Sequence, residues 1–131
     1  MPLTVKDMMA AANASVPRIT VAEAQALIAD QSALVIDVRD APEVEKSGKA
    51  AGALHISRGM LEFRADDATQ YHNPELRKDR PVLLYCASGG RSALSGKLLQ
   101  DMGYQKVYNI GGFKDWVDGG GEVEGPVEQG M

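Results

Sequence analysis

The run Val82-Leu83-Leu84-Tyr85 is apolar at every position, so a strand built from it has no face to offer to water and fits a parallel sheet buried on both sides. The residues beyond the run narrow the choice further. Cys86-Ala87-Ser88-Gly89-Gly90-Arg91-Ser92 is a loop of mostly small residues, and after it Leu94, Leu98, Leu99 and Met102 fall on one helical face before Gly103. Buried strand, tight turn and amphipathic helix make one unit of an α/β layer fold.

The rest of the chain repeats the alternation. A helix is predicted over residues 3–14, with Val5, Met8, Met9 and Ala12 on one side and Pro17 ending it. Thr20 and Glu23 form a capping box that opens a helix through Ala29, and Asp40 with Glu43 caps another. Leu34 to Val38 reads as a central strand, Ala53-Leu54-His55-Ile56 as a third, and Lys106 to Ile110 as the last. Ser57 to Arg64 predicts one or two helical turns with Met60, Leu61 and Phe63 inward. Asp66 to Arg80 is polar, with a turn at Asn73-Pro74 and room for a short helical piece. Phe113 and Trp116 bury aromatic area on a final helical turn. Asp37 and Arg39 are read as satisfying each other or backbone groups at a strand end, and His55 as a satisfied core or edge histidine rather than a general base.

At 131 residues the chain reads as one domain. Its parts are a helical extension over 1–18, the domain proper over 19–118, and a flexible acidic tail over 119–131 carrying Glu122, Glu124 and Glu128. The single cysteine forbids an internal disulfide, and His55 and His72 lie far apart in sequence without metal-ligand spacing. The net charge of −4 argues against nucleic acid as a partner. No stretch reaches membrane-spanning length and the start lacks a signal-peptide pattern, so the expectation is a cytoplasmic protein, monomer or homodimer, with no membrane partner.

Cys86 stands at the strand-to-helix junction, where open α/β sheets bind ligands. A free thiol has a pKa of about 8.5, and each unit of depression takes about 1.4 kcal/mol. The helix dipole supplies about 0.3–1 kcal/mol, whereas hydrogen bonds to a charged acceptor are worth about 1.5–3 kcal/mol each. Loop amides are therefore the main expected source of a reactive thiolate, with Gly89 and Gly90 letting the backbone curl around the sulfur. Arg91 offers a planar fork suited to an oxyanion, and Arg64 is a further candidate for an anion site.

Cys86-Ala87-Ser88-Gly89-Gly90-Arg91-Ser92 resembles the active-site loop of rhodanese-like sulfurtransferases, in the variant Cys-x-x-Gly-x-Arg-Ser. Val35-Ile36-Asp37-Val38-Arg39 with Pro42-Glu43, Gly48 to Ile56, and Asn109-Ile110-Gly111-Gly112-Phe113 with Trp116 match other segments of that family in order. The segment Gly48-Lys49-Ala50-Ala51-Gly52 departs from the usual Gly-His-Ile-x-Gly. The resemblance spans roughly residues 19–118 and implies a three-layer α/β fold with a central five-stranded parallel sheet and helices on both faces. It also implies that Cys86 takes a sulfane sulfur from a small anionic donor such as thiosulfate, holds it as a persulfide, and passes it to a thiol, cyanide or protein acceptor. On that mechanism the amides of Ala87, Ser88, Gly89, Gly90, Arg91 and Ser92 would bind the charged sulfur of the substrate, Arg91 would orient an anionic donor, and no metal or organic cofactor would be required; Arg64 stays a substrate-binding candidate on its own residue type. Two other readings stay open: a cysteine-loop phosphatase or arsenate reductase, and a non-catalytic rhodanese-like module that binds or senses sulfur. Against the first, only four residues separate Cys86 from Arg91 and Tyr85 precedes the cysteine.

Overall fold

A computed structural model describes residues 2–125. Thr4 accepts the Asp7 N–H to open α1 (Val5–Ser15), and Thr20 accepts the Glu23 N–H to open α2 (Val21–Gln31). The chain continues through β1 (Leu34–Asp37), α3 (Ala41–Ser47), β2 (Lys49–Ala50), β3 (Leu54–His55) and, after one tight helical turn, α4 (Leu61–Ala65). It ends with β4 (Val82–Cys86), α5 (Gly90–Asp101), β5 (Val107–Gly112), α6 (Phe113–Asp118) and β6 (Val123–Glu124).

The main sheet is parallel in the order β3-β1-β4-β5. Its pleat sorts the apolar runs into two cores. Leu34, Ile36, Val82, Leu84 and Cys86 face Leu61 of α4 and Leu99 of α5, while Val35, Leu83 and Tyr85 face Val21 and Ala24 of α2 and Trp116 of α6. Ile36, Leu83 and Leu84 are fully buried, each contributing about 1.5–3 kcal/mol. Helices thus cover both faces, as the unbroken apolar runs require.

The sheet has four strands rather than five. The fifth is reduced to an isolated parallel bridge between Arg18 and Asn109. Pro17, which precedes it, has no N–H to donate and a fixed φ, so the segment pairs with β5 only through the Asn109 N–H on the Pro17 carbonyl and the Ile19 N–H on the Asn109 carbonyl. Residues 119–125 do not form a free tail. Val123–Glu124 pairs antiparallel with β2, and Trp116 Nε1 donates to the Glu122 carbonyl at 2.7 Å. Residues 126–131 of the expected tail lie outside the described residues. On the short α4 only one face reaches the core, so Leu61 is buried while Met60 and Phe63 are exposed. Residues 66–80 form turns without a helix.

Candidate active site

Cys86 is the last residue of β4 and lies on the α5 side of the sheet, opposite in direction to Tyr85. The chain must reverse within three residues to start α5 at Gly90. It does so through Gly89 at φ 107°, a left-handed conformation that a side chain would strain. The turn brings the Gly89 N–H to 3.0 Å from Cys86 Sγ and places the Ser92 hydroxyl 3.5 Å from it, with the Ser88 and Ser92 N–H groups also on the sulfur. Cys86 is 1 % exposed. Burial pushes its thiol up, but the Ser92 hydroxyl and the Ser92, Gly89 and Ser88 amides together outweigh it, and the net shift is downward. Gly90 differs from the expectation: it sits in the first helical turn with open space around its Cα and is not needed for the curl.

β5 supports the loop from behind. Its register with β4 slips by one residue between Leu84 and Tyr85, leaving Ile110 as a bulge. Asn109, before the bulge, points under the loop and is nearly fully buried. Its Oδ1 accepts the Ser92 hydroxyl at 2.8 Å and the Gly111 N–H at 2.9 Å, while Nδ2 donates to the Gly89 carbonyl at 3.2 Å. Gly112, after the bulge, lies so close to the Ala87 carbonyl that a Cβ there would collide with it. Ala87 therefore fixes the back of the loop. Asn109 as a partner of the loop escapes the sequence reading; a lone amide in the apolar strand Val107-Tyr108-Asn109-Ile110 is the signal for it, since a buried amide needs partners.

Arg91 sits on the first turn of α5 but does not stand free. Its Nη1 and Nη2 lie 2.7 and 2.9 Å from the two carboxylate oxygens of Glu43 on α3. That bond holds the Glu43 carboxyl down at about 2, against the cost of burial, and raises Arg91. Arg64 is exposed on α4 with Nη1 3.4 Å from the Tyr71 carbonyl, and no hydrogen bond joins it to the loop among the described residues. Asp37 and Arg39 do pair, at 2.7 Å and buried, and Tyr85 Oη donates to Asp37 at 2.6 Å on the face away from Cys86. His55 Nε2 is satisfied by the Arg39 carbonyl at 2.7 Å. Among the described residues no three His, Cys, Asp or Glu side chains gather as metal ligands would, and no helix is long and apolar enough to cross a membrane.

A buried thiol ringed by amides at the end of a central parallel strand is an arrangement that comparison with known proteins can place. Residues 20–118 match the family model for the rhodanese-like domain. The chain belongs to the rhodanese-like domain family. Within that family it is 32% identical over 100 residues to the thiosulfate sulfurtransferase GlpE of Tolumonas auensis, covering 76% of this chain and 86% of that one. It is 32% identical over 105 residues to the putative sulfur carrier protein YrkF of Bacillus subtilis, covering 79% of this chain and 52% of the other, so this rhodanese-like chain spans about half the length of that relative. A solved structure from Rhodopseudomonas palustris, a protein of unknown function described as a possible tyrosine phosphatase, superposes with a TM-score of 0.82 at 40% identity, covering 95% of this chain and 99% of that one.

Proposed function

We propose that this rhodanese-like protein is a sulfurtransferase in which the Cys86 thiolate carries a sulfane sulfur. The observation that carries the reading is the Gly89 N–H at 3.0 Å from Sγ, within a ring of donors that lowers the thiol. In the first half-reaction the thiolate attacks the outer sulfur of a small donor, the Sγ–S bond forms, and the donor's S–S bond breaks with its electron pair leaving on the departing group. In the second half-reaction a thiol, cyanide or protein nucleophile takes the outer sulfur and returns the thiolate. The same amides that stabilise the thiolate stabilise the persulfide anion. With Cys86 only 1 % exposed, a donor that reaches in with one terminal atom suits the site. A reducing, cytosolic setting suits chemistry that begins from a free thiolate.

The test is mass spectrometry of the intact protein after exposure to sulfane donors. Persulfide on Cys86, absent in Cys86→Ser, is expected; its absence with every donor overturns the reading. The description of the Rhodopseudomonas palustris relative favours a second reading, phosphate-ester hydrolysis. Against it, a transferring phosphoryl group has three equatorial oxygens that need donors, and the loop's arginine is held by Glu43. Hydrolysis of p-nitrophenyl phosphate by the wild type, lost in Cys86→Ser, would favour that second reading.

A further inference from the structure

Arg91 is the cation of the loop, and its two outer nitrogens already meet a protein carboxylate fork to fork, 2.7 and 2.9 Å from Glu43. The carboxylate is itself anchored, because the Asp40 N–H donates to Glu43 Oε2 at 3.0 Å. The pair sits at the rim, with side chains 36 % and 35 % exposed. Three negative groups act on the one guanidinium: Glu43, the Cys86 thiolate and Asp40. Of two other arginines near the ends of the strands, Arg39 pairs with buried Asp37 at 2.7 Å, and Arg18 meets Asp115 through one nitrogen at 3.3 Å. The chain as a whole carries −4. A dianion approaching Cys86 therefore meets a site whose local positive charge is already balanced.

We propose that Glu43 is a specificity-determining residue: by holding both outer nitrogens of Arg91 it leaves no free cation on the loop, and it thereby selects singly charged sulfane donors, such as organic thiosulfonates, over dianionic thiosulfate. The inference rests on the sulfurtransferase reading and deepens it by naming the donor class. Methanethiosulfonate and thiosulfate present the same outer sulfur and differ by one charge. With methanethiosulfonate, the Cys86 thiolate bonds to the outer sulfur, the bond from that sulfur to the sulfonyl sulfur breaks, and its electron pair leaves on methanesulfinate. The outer sulfur arrives with one negative charge and keeps it as the persulfide anion, so no proton or oxidant is required. With thiosulfate the same exchange releases sulfite.

The experiment measures the second-order rate of persulfide formation on Cys86 with each donor, in the wild type and in Glu43→Gln. The intrinsic difference between the two leaving groups is common to both proteins, so the change in the rate ratio reports the charge at position 43. Glu43→Gln is expected to shift the ratio toward thiosulfate by about fivefold, the size of one partly exposed charge pair. An unchanged ratio in a folded Glu43→Gln protein overturns the proposal. A second measurement needs no variant: in the wild type the thiosulfate rate should rise with ionic strength as repulsion is screened. A fall with ionic strength would mean that Arg91 attracts the dianion, and it also overturns the proposal. Persulfide from neither donor would instead defeat the sulfurtransferase reading beneath it.

Discussion

Ser92 Oγ lies 2.8 Å from Asn109 Oδ1, 3.4 Å from the Gly111 carbonyl and 3.5 Å from Cys86 Sγ, so one hydroxyl proton is shared among three acceptors, two on β5 and one on the sulfur. The amide's orientation is fixed by its other bonds, since Oδ1 must take the Gly111 N–H and Nδ2 must give to the Gly89 carbonyl. When the sulfur is a thiol, the hydroxyl can point at Asn109. When the sulfur is a thiolate, the hydroxyl can turn to it while Oδ1 keeps the Gly111 N–H. The strand and the loop thus share one hydroxyl donor.

Removing that donor should make Cys86 a weaker acid. The Ser92 hydroxyl is one of the contacts that lower the thiol, beside the Ser92, Gly89 and Ser88 amides. A hydrogen bond to a charged acceptor is worth about 1.5 kcal/mol at the low end, which corresponds to about one pKa unit. Iodoacetamide alkylation of Ser92→Ala, followed against pH, should therefore show a midpoint about one unit above the wild type. A coincident midpoint would mean that the backbone amides alone set the thiol.

Asn109→Asp keeps the shape of the side chain and puts a carboxylate beneath the loop. Two acids close together disfavour each other's ionised forms, so the Cys86 midpoint should rise, and the Gly89 carbonyl loses its Nδ2 donor. Alkylation rates against pH check this as well. A variant that folds and alkylates with the wild-type profile would reduce Asn109 to a packing role.

Much of this arrangement is legible from residue order, for reasons that differ by element. The strand β4 announces itself because every position of its run is apolar, and the Asp37–Arg39 pair because strand ends need their polar groups answered by neighbours. The roles that escape depend on distance along the chain. Glu43 reaches Arg91 across 48 residues, and its capping position in α3 explains it well enough without that partner. β6 has two residues, too few for any period to register, and its pairing with β2 is set by tertiary contact. The missing fifth strand follows from Pro17, whose effect on a ladder depends on whether the flanking residues have an edge to join.

The Glu43–Arg91 pair predicts an acid-sensitive contribution to stability. The Glu43 carboxyl falls from its ordinary 4.5 to about 2 in the folded protein. A depressed acid stabilises the fold above its unfolded value, and that contribution disappears as pH falls from 4.5 toward 2. Because the side chains are about one-third exposed, solvent screening limits the loss to about 1 kcal/mol. Urea unfolding at neutral pH should find Glu43→Gln less stable than the wild type by that amount, with the gap closing in acid. Parallel stability curves over the whole range would contradict the pairing.

Tyr85→Phe separates the two faces of the sheet. The hydroxyl accepts the Ala50 N–H at 2.9 Å and donates to Asp37 at 2.6 Å, all three groups buried. Its loss should destabilise the protein by about 1–3 kcal/mol, measured by chemical denaturation. The Cys86 alkylation midpoint should stay where it was, because the network lies on the opposite face from the sulfur. A shifted midpoint would mean that the strand transmits strain across the sheet.

The bulge in β5 gives the order of synthesis a chemical meaning. Ser92 is oriented by a residue that emerges 17 positions later, and the back of the loop is closed by Gly112 against Ala87. A nascent chain that has completed only β4 and α5 carries the nucleophile without the amide that orients Ser92 or the glycine against which the loop packs. Only when β5 joins the sheet edge does Ser92 gain the acceptor that orients its hydroxyl beside the sulfur.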